Sequence, residues 1–288
     1  MKPPVAYFGG KTRLPPWIAG RLPAHRVYVE PFCGSAAVLF AKPPATHEIL
    51  NDTDGHVINF LRILRDRPDE LERVCRLTPY ARDEYAAADL DEPGLDDLER
   101  ARRWWVRSSQ SFGKATKRGT ACSTSSQRGF NNVRSVWNRL DRFTVAAERL
   151  GPVVIEHDDA LTVIDRYSAP DAAICCDPPY LDATRTSYAG GRRPQGDYSH
   201  EFASGADHRR LADALHATPA AVLVSGYPST LYDTELYADW SRLERQVTCR
   251  TSNGARGPNT HATEVIWSNR PLGDGRLPLD DAAGVEWL

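Results

Sequence analysis

An apolar run at Ala172–Cys176 stops at Asp177-Pro178-Pro179-Tyr180, and this junction restricts the fold more than any other part of the chain. Two consecutive prolines cannot donate the hydrogen bonds of a strand ladder, so a buried strand should end there. Asp177 would then lie at the carboxyl end of a sheet, which is the edge where open α/β sheets bind ligands. The junction therefore predicts an α/β fold with a carboxylate at its ligand-binding edge.

The same four residues can hold a planar ring that carries an amino group. The Asp177 carboxylate and the Pro178 carbonyl oxygen can each accept one N–H of an aryl amine, and the Tyr180 ring can stack on a planar base. Accepting both hydrogens lets the nitrogen pyramidalise and stabilises the positive charge that develops on it during attack. The simpler alternative is a strand-ending turn with a buried tyrosine.

The N-terminal region has the pattern of a mononucleotide-binding βαβ unit. The short predicted strand Val27–Val29 leads into a tight turn around Gly34, and a second strand, Glu48–Leu50, is followed closely by Asp52. An acid about twenty residues past a glycine turn binds ribose hydroxyls in nucleoside-binding folds. The turn has one glycine where a dinucleotide site needs three, so we predict a nucleoside site without a pyrophosphate. Either residue alone could be a plain turn or strand end.

A second glycine motif, Gly9-Gly10-Lys11-Thr12, matches only the end of a phosphate-binding loop. The full motif needs a glycine where this chain has Val5, which argues against a nucleoside triphosphatase. Paired glycines still allow the backbone to approach a ligand closely. Lys11 is therefore predicted to supply charge or a hydrogen bond to that ligand.

Positive charge is concentrated in the middle of the chain, although the net charge is only −2. The stretch from Arg100 to Arg142 holds eleven Lys and Arg residues against one acid, and the stretch from Asp83 to Glu99 holds eight acids and no base. Such a basic block predicts a polyanionic partner. Contacts with nucleic acid are predicted at Lys114, Lys117, Arg118, Arg128 and Arg134. The alternative is a solvated helical lobe with a small aromatic core, to which Trp104 and Trp137 would belong in either case.

Strand and helix patterns alternate at both ends of the chain but not in its middle. We therefore predict a catalytic domain made of residues 1–65 and 151–288, with an inserted recognition lobe, residues 66–150, built mainly from helices and loops. Two further strands, Arg245–Thr251 and Glu264–Ser268, predict an antiparallel hairpin that finishes a mostly parallel sheet. A long loop, Leu181–Phe202, is predicted to close over a substrate.

Composition places the chain among ordinary soluble globular proteins, with 288 residues, 41% of them hydrophobic and 26% charged. No run is long enough to span a membrane, and the start of the chain does not have the pattern of a signal peptide. The six cysteines and eight histidines lack metal-ligand spacing, which predicts reduced thiols in a cytoplasm and no metal site. His208 and His216 are expected on the surface of a helix, and the protein is expected to be a monomer or a weak dimer.

The motifs form an ordered set along the chain: Tyr7–Lys11, Val29–Ser35, Leu50–Asp52, a basic insertion, Asp177–Tyr180 and Thr263–Asn269. In this order they resemble the motifs of the Dam-type (D12 class) DNA adenine-N6 methyltransferases. The resemblance spans both ends of the chain and depends on the combination more than on any single motif. Tyr7 stands where the family commonly has tryptophan, which preserves a ring for stacking.

The resemblance implies a Rossmann-like fold that uses S-adenosyl-L-methionine to methylate N6 of an adenine flipped out of duplex DNA. It implies catalytic roles for Asp177, Pro178 and Tyr180. It also implies a cofactor site formed by Tyr7, Lys11, Phe32, Gly34, Asp52, Asp159 and Asp177. Asp159 is placed near the adenine of the cofactor, with the adjacent Asp158 as the alternative.

Two other hypotheses stay open at the level of sequence. The Asp/Asn-Pro-Pro-Tyr signature also serves methyltransferases that act on RNA or on protein glutamine, so an RNA adenine-N6 methyltransferase is one alternative. A catalytically inactive DNA-binding homologue is the other. The segment Ser111–Arg139 does not align with the part of Dam enzymes that reads GATC, so no target sequence is implied. The family setting implies a restriction-modification enzyme in the cytoplasm of a bacterial cell or a phage-infected host.

Overall fold

The structure, a computed structural model, describes residues 1–5, 14–111, 122, 132–179, 181, 202, 204–249 and 260–273. These residues form a seven-stranded sheet. Its strands are β1 (Val27–Glu30), β2 (His47–Asn51), β3 (Val154–Glu156), β4 (Ala172–Cys176), β5 (Ala221–Gly226), β6 (Ser241–Cys249) and β7 (Thr260–Ser268). Their order across the sheet is β3-β2-β1-β4-β5-β7-β6.

Helices connect the strands and cover the sheet. They are α1 (Pro15–Ala19), α2 (Gly55–Asp66), α3 (Pro68–Leu77), α4 (Arg82–Ala87), α5 (Asp97–Gln110), α6 (Asn132–Leu140), α7 (Phe143–Leu150), α8 (Ala160–Arg166) and α9 (Gly205–Ala217), with a π-helical segment at Leu231–Leu236. The local sequence explains where two of these helices begin. Asp54 caps α2 through the His56 N–H, and Ser204 and Asp207 form a capping box at α9.

The strand directions confirm the predicted fold class. Strands β1 to β5 are parallel to their neighbours, β7 is antiparallel to β5, and β6 is antiparallel to β7. Both hairpin strands begin earlier than the sequence predicted, because they pair with each other over nine residues. The strand order reverses between β1 and β4. The crevice outside the carboxyl ends of these two strands is where doubly wound sheets bind ligands.

Strand β4 is buried along its whole length, as its apolar run predicts. Its side chains alternate between faces, so Cys175 belongs to the hydrophobic cluster on one face and Cys176 to the cluster on the other. The first cluster includes α2, α3, α5 and α7, and the second includes α8 and α9. Because both faces are covered, the carboxyl edge of the sheet is the natural place for a ligand.

Helices α3 to α7 occupy the region predicted as an inserted lobe. Trp104 of α5 is buried against Phe60 of α2, with 4.6 Å between ring centroids, so the lobe shares one core with the helix above the sheet. Trp137 of α6 is 39% exposed, and the prediction that it belongs to the core is wrong. Val136 and Leu140 provide the buried side of α6 instead. The division into a catalytic domain and a recognition lobe stays a prediction.

A buried ion network attaches α7 to the sheet. Glu48 of β2 accepts hydrogen bonds from Lys42 Nζ at 2.6 Å and from Arg149 Nη2 at 2.8 Å, and Arg149 Nη1 also contacts its second oxygen. Burial alone would raise the pKa of Glu48, but the bonds from Arg149 and Lys42 hold the pKa of that carboxyl below its usual value. The carboxylate is therefore charged and matched by two cations.

No helix in the described part of the chain is long and apolar enough to cross a membrane. The same residues contain no group of three or more His, Cys, Asp or Glu side chains that could hold a metal ion.

Candidate active site

The turn after β1 is joined to the end of β2 by two hydrogen bonds. The Gly34 N–H donates to Asp52 Oδ2 at 2.9 Å, and the Cys33 N–H donates to the Asn51 carbonyl oxygen at 2.8 Å. Gly34 has a φ of +46°, a conformation that glycine adopts without the steric cost of a side chain. Gly34 and Asp52, which the sequence assigns to one nucleoside site, are therefore in direct contact.

Asn51 is a residue of this site whose importance the sequence did not reveal. Its side chain is fully buried, and its Nδ2 donates to the Pro31 carbonyl oxygen at 3.0 Å and to the Asp158 carbonyl oxygen at 3.1 Å. Its Oδ1 accepts from the Asp158 N–H at 2.9 Å. One amide group thus connects the ends of β1, β2 and β3. The sequence signal that could have identified Asn51 is its position as a polar residue directly after the predicted strand Glu48–Leu50.

The two adjacent acids after β3 have different surroundings. Asp158 accepts from Arg166 at 2.8 Å, and this bond holds the pKa of the Asp158 carboxyl below its usual value. Asp159 is exposed and caps α8, where its Oδ1 accepts the Leu161 N–H at 2.9 Å. Of the two candidates, Asp158 is engaged in an ion pair, while Asp159 lies at the start of α8 beside the ligand-binding edge.

Asp177 follows β4 directly and lies exposed at the carboxyl edge, as predicted. Its Oδ1 accepts a hydrogen bond of 2.8 Å from the Ser225 hydroxyl. The pairing of Cys176 with Val224 brings Ser225, one residue further along β5, opposite Asp177. Ser225 is only 2% exposed, so β5 supplies a rigid donor to the carboxylate. The sequence showed Ser225 only as the polar end of an apolar strand.

Aromatic side chains pack behind the β1 turn. The half-buried ring of Phe32 meets Phe202 edge-to-face at 5.4 Å between centroids, and Phe202 in turn meets His208 at 5.5 Å. His208 Nδ1 and the Tyr232 hydroxyl form a 2.7 Å hydrogen bond. His208 is 1% exposed, so the expectation that it lies on the surface is wrong, because its position on α9 faces this aromatic cluster. His216, about two turns further along α9, is exposed as expected.

A second carboxyl lies buried at the carboxyl end of β1. Glu30 Oε1 accepts from the Tyr28 hydroxyl at 2.8 Å and from the Leu39 N–H at 2.6 Å. Burial raises the pKa of Glu30 to about 7, the two hydrogen bonds oppose this rise, and the charge of Asp177 adds to it. Glu30 therefore holds the segment after the turn through the Leu39 N–H, and its pKa responds to the charge of Asp177 at the ligand-binding edge.

The crevice lies where the strand order reverses between β1 and β4, with a carboxylate at the end of β4 and a β1 turn bound to Asp52. A comparison with known protein families points to the same kind of site. The family model described as D12 class N6 adenine-specific DNA methyltransferase matches residues 7–249. The chain belongs to this family. It is also similar to the Type II methyltransferase M1.LlaDCHI of Lactococcus lactis subsp. cremoris, with 26% identity over 297 residues, 93% of this chain and 95% of that protein. The family and fold expected from the motifs are confirmed, and so is site-specific methylation of adenine in DNA.

The basic region of this D12-class methyltransferase is less positive than its sequence indicates. Arg102 of α5 pairs with Glu84 and Glu99, and Arg103 pairs with Glu92 and Glu99. Acids before α5 and in its first turn therefore neutralise arginines that the sequence count assigned to a polyanion. Arg134, one of the predicted contacts, differs from them because it is exposed on α6 and forms no ion pair with another described residue.

Several predicted site residues lie outside the described part of the methyltransferase. They are Tyr7, Lys11, Lys114, Lys117, Arg118, Arg128 and Tyr180. Pro178 is described, and its ring is buried directly after Asp177. The predicted loop Leu181–Phe202 is described only at its two ends. Of the predicted residues that are described, Phe32, Gly34, Asp52, Asp159 and Asp177 all belong to strand ends or turns at one edge of the sheet.

Proposed function

We propose that this methyltransferase transfers a methyl group from S-adenosyl-L-methionine to N6 of an adenine flipped out of duplex DNA, with Asp177 as the acceptor for the amine. The observation that carries this proposal is the position of Asp177. Its carboxylate is exposed at the switch point and is fixed by the buried Ser225 at 2.8 Å. The nucleoside-type turn at Gly34 and Asp52 follows the neighbouring strand β1.

The residues around the β1 turn fit the proposed cofactor. Gly34 and Asp54 each donate a backbone N–H to one oxygen of Asp52, at 2.9 and 3.0 Å. A carboxylate oxygen accepts more than one hydrogen bond, so the partly exposed Asp52 can hold the turn and also bind ribose hydroxyls. The ring of Phe32 is suited to stack on adenine, and Asp159 would accept a hydrogen bond near it. When bound, the cofactor supplies a methyl group on a positively charged sulfur.

Two further cofactor contacts are proposed from the family resemblance. Tyr7 would add a second stacking ring, and Lys11 would bring charge or a hydrogen bond to the cofactor. Asp177 would border the methionine end, since it follows β4, the neighbour of β1.

The chemistry requires the amino nitrogen of adenine to become nucleophilic. Asp177 would accept one N–H and the Pro178 carbonyl oxygen the other, while the Tyr180 ring stacks on the base. These acceptors stabilise the positive charge that develops on nitrogen as the new N–C bond forms. The nitrogen then loses its extra proton to water. Since N6 cannot be reached inside the base stack, the adenine must leave the duplex first.

Contacts with the duplex are proposed for the inserted lobe. Lys114, Lys117, Arg118, Arg128 and Arg134 would bind phosphates or base edges. Neutralising charges in this set should weaken binding in a salt-dependent manner, because each phosphate contact releases counterions.

The direct test is transfer of tritiated methyl groups from S-adenosyl-L-methionine to duplex DNA by the purified full chain, with digestion to nucleosides to identify N6-methyladenine. Asp177→Ala should abolish transfer and leave DNA binding close to that of the wild type, because the carboxylate acts on the flipped base. The matched control is Asp213→Ala, which removes an exposed carboxylate from α9. Transfer to structured RNA but not to duplex DNA, or activity retained by Asp177→Ala, would contradict the proposal.

A further inference from the structure

A buried side-chain amide joins three strand ends at the edge of the sheet that carries Asp177. Asn51 is the last residue of β2 and is 0% exposed. Its Nδ2 donates to the Pro31 carbonyl oxygen at 3.0 Å and to the Asp158 carbonyl oxygen at 3.1 Å, and its Oδ1 accepts from the Asp158 N–H at 2.9 Å. Both N–H groups and the oxygen of the amide are therefore used, so the side chain has one favourable orientation.

These bonds begin where the strand ladder stops. Strand β1 pairs with β2 as far as Glu30, and β3 pairs with β2 as far as Glu156. Pro31 and Asp158 lie one and two residues further along, and there the amide of Asn51 takes over the connection between the three strands. One side chain thus extends the ladder on both sides of β2.

Each residue that the amide fixes is next in the chain to a proposed cofactor contact. The pairs are Pro31 with Phe32, Asp158 with Asp159, and Asn51 itself with Asp52. The three proposed contacts are the stacking ring and the two carboxylates assigned to the adenosine part of the cofactor. The amide therefore sets the spacing of these contacts through a single peptide unit on each strand.

Asn51 acts on the cofactor only through its neighbours. Because its side chain is fully buried, it offers no surface to which the cofactor could bind. Its backbone adds a further connection, since the Cys33 N–H donates to the Asn51 carbonyl oxygen at 2.8 Å. Asp177, on the other side of β1, is held separately by Ser225. The part of the site assigned to the cofactor and the part assigned to the amine thus have different buried supports.

We propose that Asn51 is a positioning residue of the cofactor site, whose amide sets the distances between Phe32, Asp52 and Asp159 and thereby the affinity for S-adenosyl-L-methionine. This inference rests on the proposed function, because it requires the cofactor to bind at these strand ends. An aspartate in place of Asn51 keeps the shape of the side chain but has no N–H to donate when it is ionised. Two carbonyl oxygens would then face a carboxylate, and the strand ends to which they belong would move apart.

The test is calorimetric binding of S-adenosylhomocysteine to the full chain carrying Asn51→Asp. We expect the dissociation constant to rise by about 10- to 100-fold, because two hydrogen bonds that fix the site are lost. The KM for the cofactor should rise by a similar factor, while kcat at saturating cofactor and the Kd for duplex DNA should stay within about threefold of the wild type. A residue that serves only packing would lower Tm without this selective effect on the cofactor.

The matched control is Asn269→Asp, at the opposite edge of the sheet. Asn269 makes a similar pair of bonds there, because its Nδ2 donates to the Ala220 carbonyl oxygen at 3.0 Å and its Oδ1 accepts from the Val222 N–H at 2.8 Å, at the start of β5. The dissociation constant of S-adenosylhomocysteine for this variant should equal that of the wild type, even where its Tm falls as much as that of Asn51→Asp.

The outcomes separate this inference from the proposed function. If the wild type binds no S-adenosylhomocysteine, the proposed function fails. If the wild type binds it and Asn51→Asp binds it equally well, or if Asn269→Asp weakens binding as much as Asn51→Asp, only the role of Asn51 is overturned. Should Asn51→Asp not fold, Asn51→Ser, which removes the amide without adding a charge, is measured in its place, and the same results decide.

Discussion

Ser225 offers the sharpest test of how the active site is built. Its hydroxyl donates to Asp177 Oδ1 at 2.8 Å from within β5, where the side chain is 2% exposed. Because Ser225 is buried, it would act on the substrate only through Asp177, so we assign it the role of a positioning residue. In Ser225→Ala the carboxylate loses this buried donor, and its orientation towards the amine becomes less fixed.

The size of the effect follows from the type of bond. A hydrogen bond to a charged acceptor contributes about 1.5 to 3 kcal/mol. Each 1.4 kcal/mol of lost transition-state stabilisation lowers the rate about tenfold, so we expect the chemical step to slow by about 10- to 150-fold. Stability should change by only about 1 kcal/mol, because the exposed Asp177 can bond to water instead. The KM values for cofactor and DNA should be close to those of the wild type.

Single-turnover methyl transfer is the appropriate assay, since slow product release can hide a change in the chemical step. Ser225→Thr keeps a hydroxyl at the same position and should recover most of the rate. A single-turnover rate in Ser225→Ala within about twofold of the wild type would refute the argument. Equal losses in the Ala and Thr variants, with a lower Tm in both, would show that the residue serves only packing.

Two other predictions concern the charges around the sheet. Glu48→Gln leaves two buried cations without their carboxylate and should destabilise the protein by about 3 to 5 kcal/mol in urea unfolding. Glu70→Gln, which breaks an exposed pair that solvent already screens, should have a far smaller effect on the free energy of unfolding, and equal effects would contradict the burial argument. Glu30 has a folded-state pKa of about 7 against 4.5 for the free group, so its protonated form is favoured by folding. Protonated Glu30 stabilises the fold fully below about pH 4.5, and this stabilisation is lost as the pH rises to about 7. The free energy of unfolding changes by about 3 kcal/mol over that range. Glu30→Gln should therefore raise Tm at pH 8 relative to the wild type and not at pH 5; a Tm difference independent of pH would refute this.

The strands of the sheet were predictable because their signals are local. The apolar run before Asp177 and the two prolines mark a buried strand and its end, and β4 is buried over the five residues of that run. The turn at Gly34 and the acid at Asp52 also follow from spacing. The Gly34 N–H donates to Asp52, so the two residues that the spacing grouped together are in contact.

The supporting residues were not predictable because their role arises only when strands from distant parts of the chain become neighbours. Asn51 bonds to Asp158, which is 107 residues away, and Ser225 bonds to Asp177, which is 48 residues away. In the sequence each is an isolated polar residue at the end of an apolar strand. His208 was misassigned for a similar reason, because Tyr232, its hydrogen-bond partner, lies 24 residues further along the chain.

The charge available for binding DNA also depends on contacts that the sequence does not show, because ion pairs within the protein neutralise some of its arginines. The sequence count makes the middle of the chain the dominant basic region, yet Arg102 and Arg103 of that region are neutralised by acids within the lobe. Attraction of a polyanion depends on the charge that remains after such pairing. Arg134, which is exposed on α6, therefore carries more weight in that balance than Arg102 or Arg103, although the sequence count treats all three alike. Exposure and pairing, and not the number of arginines in the segment, decide which of them can bind a phosphate.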